Sequence, residues 1–312
     1  MKHTAILFSG QGAQSVGMGE DLFQASPSAR ALFAMGETLC PGITERCFHG
    51  DAEQLKQTEN AQPALFLVGL AFADALREAG VQADAAAGFS LGEIPALAFT
   101  GILSPEDAFR LVCARAGKMA ELSRVHPGGM VAALKLPFPK IEALCEEFTE
   151  VWPVNYNCPG QLCCAGNPDQ LDAFAARVKE EGGRGVKLAV SGAFHTPYMD
   201  AAGDVLRDTL AGMAMKAPEI PLYANRTAAP YPSDRKGMTD NVAAQVCSPV
   251  LWEALLRQMW KDGITTFIEV GAGTTLTGFV KRTLPEAATY TVTDVPSLQA
   301  AVAELCGGEN HE

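Results

Sequence analysis

The sequence predicts an α/β fold in which one mostly parallel sheet, assembled from distant parts of the chain, forms a large domain. Three strand-like runs, at 4–8, 83–89 and 266–270, each lead into a glycine-bearing turn and then into a helix-like pattern. Strands that lead into helices in this way are typical of an α/β sheet, whose functional loops follow the strands. We therefore assign the three runs to one sheet.

Between the second and third of these runs, a different order of strand-like and helix-like segments predicts an inserted small subdomain over 127–190. Its elements follow the order β-α-β-β-α-β, which is typical of the ferredoxin-like unit. They are strand-like 130–134, helix-like 140–148, strand-like 151–155, strand-like 162–165, helix-like 168–181 and strand-like 186–190. The predicted large domain is then discontinuous, over 1–126 and 191–306, and residues 307–312 form a polar tail.

Composition narrows the class of protein. The 312 residues are 48% hydrophobic, which is ordinary for a soluble enzyme. The longest apolar stretch, 63–73, is much shorter than the ~20 residues that a membrane span needs. The N-terminus runs directly into the first strand-like segment without a cleavage site, so we expect a cytoplasmic protein that has no membrane contact.

Charge and cysteine content exclude further classes. A net charge of −12 argues against a nucleic acid partner, because phosphate backbones are bound by basic faces. Local basic pairs, Lys281 with Arg282 and Arg184 with Lys187, are either solvated surface charge or a site for a phosphorylated carrier. Nine scattered cysteines without a C-x-x-C pair predict reduced thiols, with neither a disulfide framework nor a metal site.

The segment Gly88–Gly92 spells G-x-S-x-G, the turn that lifts a serine out of a strand as a nucleophile. Glycines flank Ser90 because side chains at those positions would clash in the strained turn. Acyl transfer is the first hypothesis, and the large domain is accordingly predicted to be α/β-hydrolase-like. Pro95, just past the first turn of the following helix, removes one backbone hydrogen bond, so we expect a local kink there.

A serine nucleophile needs a base, and His195 is the histidine whose position favours that role. It lies where the small subdomain returns to the large domain, and such crevices are where sites form. A structural histidine is the alternative, and the spacing from Ser90 does not decide between them because catalytic partners meet only in the fold.

Attack on a thioester creates a negative oxygen, which requires hydrogen-bond donors already in place. The Leu91 N–H, directly after the nucleophile, is the default first donor. Gln11, in a Gly-Gln-Gly turn that lets the backbone approach a ligand, is a candidate for the second. A plain strand-to-helix turn with a solvated glutamine is the alternative.

A helix over 105–122 carries an arginine on its apolar side. Ser104 as N-cap and a proline at the first helical position predict its start. Ala108, Val112, Arg115 and Met119 then share one stripe, so Arg115 points where the apolar side chains point. A buried guanidinium must meet an anion, which is either a protein carboxylate or the carboxylate of a substrate.

At this point the chain resembles, almost from end to end, the malonyl-CoA:acyl-carrier-protein transacylases of fatty-acid and polyketide synthesis. Several separate motifs occur in the order that this family has. They are 8–14 (FSGQGAQ), 88–93 (GFSLGE), Arg115 to Met119, 155–160 (NYNCPG), 192–195 (GAFH), 223–225 (YAN), 245–250 (QVCSPV) and 268–273 (IEVGAG).

The resemblance implies a role for each candidate. Ser90 would be the nucleophile and His195 the base, oriented by a backbone carbonyl near Gln245. Gln11 and the Leu91 amide would hold the oxyanion, and Arg115 would bind the malonyl carboxylate. Pocket residues would be Phe194, which narrows the pocket at C2, with Phe89 and Met119.

The resemblance further implies a ping-pong transfer of malonyl from malonyl-CoA to the phosphopantetheine thiol of acyl carrier protein. We expect no bound cofactor and a monomer. The rival hypotheses are a hydrolase that clears acyl groups from carriers and a degenerate homologue that only docks them. Three positions depart from the family pattern: Phe89 replaces histidine, Ser9 replaces proline and Ala116 replaces glycine. We expect Phe89 to point away from the acyl group, without abolishing activity.

Overall fold

The computed structural model describes residues 3–190 and 192–306. The predicted tail, 307–312, lies outside the described residues, as does Ser191 at the predicted domain boundary. The strands, in chain order, are β1 (His3–Phe8), β2 (Ala85–Gly88), β3 (Gly129–Leu134), β4 (Val151–Cys158), β5 (Gln161–Gly166), β6 (Arg184–Lys187), β7 (Leu222–Tyr223), β8 (Ile264–Val270) and β9 (Ala288–Val292).

Helices cover both sheets. In chain order they are α1 (Glu20–Ala25), α2 (Pro27–Leu39), α3 (Ile43–Phe48), α4 (Ala52–Lys56), α5 (Thr58–Glu78), α6 (Glu93–Phe99), α7 (Pro105–Val125), α8 (Phe138–Cys145), α9 (Pro168–Glu180), α10 (Asp200–Ala211), α11 (Arg235–Gln245), α12 (Trp252–Lys261), α13 (Thr275–Thr283) and α14 (Val295–Cys306). In the described ranges, no helix combines the length and apolar character needed to cross a membrane.

The large sheet is parallel throughout, in the order β7-β2-β1-β8-β9. The predicted α/β fold class is confirmed, and the three strand-like runs lie side by side as β2, β1 and β8. Strand β1 is buried on both faces: Ile6 and Phe8 pack into one core cluster, while Ala5 and Leu7 pack into another. A continuous apolar strand of this kind is expected where helices cover both sides of a parallel sheet.

The small sheet is antiparallel, in the order β4-β5-β3-β6, which confirms the ferredoxin-like prediction. Its own core lies between this sheet and the helices α8 and α9. The last strand was predicted over 186–190 but covers Arg184–Lys187. The pairing with β3 ends at Lys187, after which residues 188–190 leave the sheet and line the cleft described below. The assignment of 127–190 as a separate subdomain stays a prediction.

Helix α5 packs against β1 and β8 of the large sheet, and α7 packs against α5. The two helices place the polar side chains of Gln62 and Arg115 inside the core. The apolar stretch 63–73 lies within α5, where its residues are buried. As predicted, α7 begins after Ser104, whose hydroxyl accepts a hydrogen bond from the Asp107 N–H at 3.1 Å. The stripe of Ala108, Val112 and Met119 is buried, and Arg115 is buried with it.

The chain changes geometry between β2 and α6. A 3-10 turn, Ser90–Gly92, follows the strand, and α-helical geometry begins only at Glu93. Pro95 is therefore the third residue of α6 and lies in its first turn, where a backbone nitrogen has no acceptor within the helix. The predicted kink past the first turn is replaced by this earlier change from 3-10 to α geometry.

Candidate active site

The turn after β2 places Ser90 at the start of a helix with a strained backbone. Ser90 has φ 52°, in the left-handed region that residues other than glycine seldom adopt. A side chain at Gly88 would overlap the backbone of Gly92, and one at Gly92 would overlap the Phe8 carbonyl. The two glycines are needed because the turn folds back tightly against β1, which explains the G-x-S-x-G spacing.

His195 lies beside this serine, although 105 residues separate them in the chain. The distance between Ser90 Oγ and His195 Nε2 is 2.7 Å. On the other side of the ring, Nδ1 lies 3.0 Å from the backbone oxygens of both Gln245 and Ser248. Since a carbonyl only accepts, Nδ1 carries the proton and Nε2 is free to accept one from Ser90.

Burial keeps this histidine neutral. His195 is 3% exposed, and desolvation, followed by repulsion from the Arg115 cation, lowers its pKa to about 4. The carbonyls of Gln245 and Ser248 oppose this shift because they favour the charged ring. At neutral pH the imidazole is therefore in the form that a general base requires.

Arg115 brings a cation to the same serine. Its Nη2 lies 3.2 Å from Ser90 Oγ and 3.2 Å from Gln245 Oε1, and its Nη1 donates to Gln62 Oε1 at 2.8 Å. The guanidinium is 1% exposed, and its Nε has no hydrogen-bond partner among the described residues. In the ranges that the structure describes, no aspartate or glutamate forms an ion pair with it.

The buried carboxyl group of Glu93 acts on Arg115 electrostatically without forming an ion pair with it. Burial lowers the pKa of Arg115 to about 10, and the attraction of Glu93 opposes that change. Burial likewise raises the pKa of Glu93 to about 7, against hydrogen bonds from Tyr231 and from the Asn225 N–H. The guanidinium thus stays charged at neutral pH, but amide oxygens and a hydroxyl surround it instead of a bound carboxylate.

Gln11 reaches this cluster through a chain of amides. Its Nε2 donates to Thr58 Oγ1 at 3.1 Å, and its Oε1 accepts from Gln62 Nε2 at 3.2 Å. Gln62 is fully buried and in turn accepts from Arg115. The first loop, helix α5 and helix α7 are joined in this way near Ser90.

Gln245, the last residue of α11, contacts three members of the site. Its backbone oxygen accepts from His195, its Oε1 accepts from Arg115, and its Nε2 donates to the Ser90 carbonyl at 2.6 Å. Leu91 follows the serine in the 3-10 turn, at the position of the default oxyanion donor. The structure thus brings Ser90, His195, Arg115 and Gln245 into direct contact, with Gln11 one amide away.

Ser90, His195 and Gln11 border a cleft of about 420 Å³ between the two sheets, and Arg115 and Gln245 lie behind this lining. Phe194, Met119 and Phe89, the three residues assigned to the pocket, all line the cleft, and their roles towards a substrate stay predictions. Phe89 also packs edge-on against Trp252, with ring centroids 5.3 Å apart, and against Phe279 at 6.1 Å. Trp252 and Phe279 belong to the core cluster opposite the one that contains Leu91. Phe89 therefore lines the cleft and also belongs to an aromatic cluster with Trp252 and Phe279, on the face of the large sheet opposite Leu91.

The small sheet contributes the other wall of the cleft. Asn155 and Asn157 of β4 line it and are 7% and 3% exposed. Among the described residues, the Oδ1 atom of each is buried without a hydrogen-bond partner. An unpaired buried amide oxygen is costly, so each of these two atoms needs a donor that the described residues do not supply.

Of the basic pairs noted in the sequence, one reaches the cleft. Arg282 donates from Nη1 to Gln161 Oε1 at 2.8 Å, and Gln161 lines the cleft. Lys187 instead forms an ion pair with Asp172. Lys56, which sequence reasoning did not single out, also borders the cleft.

Sequence reasoning did not assign roles to several residues that complete the site. Gln62 is one, although an amide directly before the apolar run 63–73 of α5 was a usable signal. Ser248 acts through its backbone oxygen, which residue type cannot reveal. Asn225, whose side chain accepts from the Ser90 N–H at 2.7 Å, was part of a recognised motif but had no role.

Comparisons with known proteins match nearly the whole chain. A family model described as the acyl transferase domain matches residues 6–306. The chain is 34% identical over 311 residues to the malonyl CoA-acyl carrier protein transacylase of Bacillus subtilis strain 168, covering 98% of each. It is also similar to the solved structure of the malonyl CoA-acyl carrier protein transacylase of Coxiella burnetii, with a TM-score of 0.93 and 28% identity, over 97% of this chain and 98% of that one.

A further solved structure shows a malonyl-transacylase in complex with its acyl-carrier protein from a type II PKS. It aligns with a TM-score of 0.93 and 30% identity, over 97% of this chain and 100% of that one. The similarity therefore includes both sheets and the cleft between them.

Proposed function

We propose that this chain, which belongs to the acyl transferase domain family, moves malonyl from malonyl-CoA to the phosphopantetheine thiol of an acyl carrier protein. The transfer proceeds through a malonyl ester on Ser90 and supplies extender units for fatty acid or polyketide synthesis. The names of the Bacillus subtilis and Coxiella burnetii relatives support the reaction, and the carrier complex of a third relative supports the partner.

One observation in this structure carries the proposal: the buried Arg115 guanidinium has no carboxylate partner within the described residues, yet its Nη2 lies 3.2 Å from Ser90 Oγ. Leaving a buried cation without a directly paired counter-charge costs several kcal/mol. A substrate that carries a free carboxylate next to its thioester supplies that charge at the required place. Of the two alternatives for Arg115, the substrate carboxylate is thus the better supported.

The first half of the reaction follows from the contacts of Ser90. Nε2 of His195 accepts the Oγ proton while Oγ attacks the thioester carbonyl of malonyl-CoA. The resulting oxyanion is held by the Leu91 N–H at the helix start and by Gln11. His195 then gives its proton to the departing CoA sulfur, and malonyl remains as the ester of Ser90.

The second half repeats these steps with the carrier. The phosphopantetheine thiol loses its proton to His195 and attacks the ester carbonyl, and Ser90 Oγ recovers the proton as the C–O bond breaks. Arg115 holds the malonyl carboxylate during both halves, through a bidentate pair that acetyl cannot form. Phe194 narrows the cleft beside C2 of the acyl group.

The small-sheet wall fits the arm that delivers the thioester. Pantetheine carries two amide N–H groups, and the unpaired Oδ1 atoms of Asn155 and Asn157 are matching acceptors on the cleft wall. Arg282, beside Gln161 at the cleft, and its neighbour Lys281 are candidate partners for the phosphate of that arm. The absence of a bound cofactor, the monomeric state and the cytoplasmic location stay predictions.

The test is acyl loading of the full chain by malonyl-CoA and by acetyl-CoA, followed by intact mass and peptide mapping. We expect a single malonyl adduct on the Ser90 peptide, faster than acetyl loading. Arg115→Ala should reduce the malonyl preference by about 3 kcal/mol, which is roughly 150-fold, because the pair is buried. Arg110→Ala is the matched control, since this arginine lies on the same helix but is exposed and paired with Glu106.

The two rivals give different results in the same assay. A carrier-specific hydrolase would release CoA continuously without carrier protein and leave no stable adduct. A protein that only docks carriers would bind acyl carrier protein without labelling of Ser90. Equal loading of malonyl and acetyl by the wild type would remove the assigned role of Arg115.

A further inference from the structure

The backbone of the nucleophile turn leaves two polar groups without a regular partner. Ser90 is in the left-handed region, so its N–H starts the 3-10 turn and has no acceptor within that turn. The carbonyl of Gly88 lies at the end of β2, where the parallel pairing with β1 stops. Buried groups of this kind need partners from elsewhere in the chain.

The side chain of Asn225 is bonded to both groups. Its Oδ1 accepts from the Ser90 N–H at 2.7 Å, and its Nδ2 donates to the Gly88 carbonyl at 2.6 Å. One planar amide thus spans the turn from the last strand residue to the nucleophile. The orientation of the amide is determined, because a reversed amide would place its Nδ2 donor against the Ser90 N–H and its Oδ1 acceptor against the Gly88 carbonyl.

Asn225 is itself held by groups that lie away from the reacting atoms. Its N–H donates to Glu93 Oε2 at 2.8 Å, and its carbonyl accepts from the Leu251 N–H at 2.8 Å. The Tyr231 hydroxyl donates to the other oxygen of Glu93. Asn225 is fully buried, and its backbone is held at two points, by Glu93 and by Leu251.

Asn225 differs from the other amide that contacts Ser90. Gln245 donates to the Ser90 carbonyl, but it also contacts Arg115 and His195, so its removal would disturb the reacting groups directly. Among the described residues, the side chain of Asn225 forms hydrogen bonds only with the backbone of the turn. A substitution at this position therefore tests geometry alone.

We propose that Asn225 is a positioning residue that holds Ser90 in its strained conformation by bridging the Gly88 carbonyl and the Ser90 N–H. Glu93 and Tyr231 act one step further out by fixing Asn225. The effect on malonyl transfer rests on the function proposed above, whereas the effect on the reactivity of Ser90 does not.

The experiment compares Asn225→Ala with Asn241→Ala, a matched variant at another buried asparagine that lies on α11 and contacts Arg226. The first readout is the rate at which a fluorophosphonate probe labels Ser90. The second is the pre-steady-state rate of acylation by malonyl-CoA, with its apparent Kd. We expect Asn225→Ala to lower both rates by about 100-fold, the loss typical of a nucleophile displaced by about 1 Å, with an unchanged Kd. Asn241→Ala should leave all three quantities at the wild-type level.

A second variant, Asn225→Asp, is nearly isosteric and tests the two hydrogen bonds. When protonated, the new side chain accepts from the Ser90 N–H and donates to the Gly88 carbonyl, as the amide does. When ionised, it repels that carbonyl. The probe-labelling rate relative to wild type at the same pH should therefore recover as the pH falls.

Two results would overturn the inference: labelling of Asn225→Ala at the rate of Asn241→Ala, or a loss that follows only the unfolded fraction measured by circular dichroism. If wild-type protein reacts with the fluorophosphonate but not with malonyl-CoA, the proposed function fails while the positioning role of Asn225 is still tested by the probe.

Discussion

The two walls of the cleft differ in how their polar atoms are bonded. On the large-sheet wall, Ser90, His195 and Gln245 each contact other residues of the same site. On the small-sheet wall, Asn155 and Asn157 line the same cleft with amide oxygens that have no partner among the described residues. The first wall is arranged before substrate arrives, whereas on the second wall two buried amide oxygens lack a donor among the described residues.

This difference separates chemistry from binding. Preorganised groups act on the transition state and should affect rate constants, while unpaired groups that a substrate satisfies should affect its affinity. Arg115 belongs to both descriptions, because it contacts Ser90 and also has an unpaired Nε in the described part of the chain. Substitutions on the two walls should therefore have different kinetic signatures.

The largest effect is expected from His195→Ala on the large-sheet wall. Loss of the base at 2.7 Å from Ser90 Oγ should lower the rate of Ser90 acylation by about 10³-fold. The Kd for malonyl-CoA should stay unchanged, because no contact to the acyl carboxylate is removed. Stopped-flow acylation gives both quantities, and His126→Ala serves as an exposed control. A loss confined to Kd would contradict the comparison.

His195 should also determine how the rate constant of Ser90 acylation falls at acid pH. Because burial lowers the pKa of His195 to about 4, the second-order acylation rate constant should be constant from pH 8 down to about 5. A midpoint near 6.5, the ordinary histidine value, would show that the ring is not buried in solution.

Protonation of His195 should also make the free energy of unfolding depend on pH. The unfolded chain takes up a proton on this histidine near pH 6.5, whereas the folded chain does so only near pH 4. The contribution of His195 to the free energy of unfolding is thus present above pH 6.5 and falls as the pH drops towards 4. Urea melts at several pH values in this range give the free energy of unfolding as a function of pH. The slope of that function should differ between wild type and His195→Ala by the uptake of one proton on unfolding.

A smaller effect, on KM and not on the rate constant, is expected from Asn155→Leu on the small-sheet wall. Removing one acceptor for a pantetheine amide should raise the KM for malonyl-CoA about tenfold and leave kcat unchanged. The free energy of unfolding should rise by up to about 1 kcal/mol, because a buried oxygen without a partner is removed. Unfolding melts and steady-state kinetics test both outcomes together. A lower stability with an unchanged KM would mean that Asn155 is bonded within the protein.

The smallest effect on activity is expected from Phe89→His, which restores the residue usual in the resembled family. The ring packs on Trp252 and Phe279 and carries no atom that bonds to Ser90 or His195, so the acylation rate should stay within about twofold. The free energy of unfolding should drop by about 1 kcal/mol as aromatic pairing is lost. Phe279→Leu is a matched control for the packing term. A rate increase of tenfold or more would place Phe89 in the chemistry.

The residue pattern was sufficient for the order of elements and for the types of group in the site. The three strand-like runs became adjacent strands, and β-α-β-β-α-β became the small sheet, because hydrophobic periodicity and turn residues are local properties of the chain. The buried position of Arg115 could likewise be read from its place on the apolar stripe of α7.

Only the tertiary structure decided which groups meet. Gln62, Ser248 and Asn225 come from a helix, a loop and the end of a strand that are remote in sequence from Ser90, and two of their contacts involve backbone atoms that every residue possesses. The end of β6 at Lys187 was likewise decided by the tertiary structure, in which residues 188–190 line the cleft. Local pattern determines what each segment can form, whereas distances between remote segments depend on packing, and it is those distances that turn the residues around Ser90 into a site.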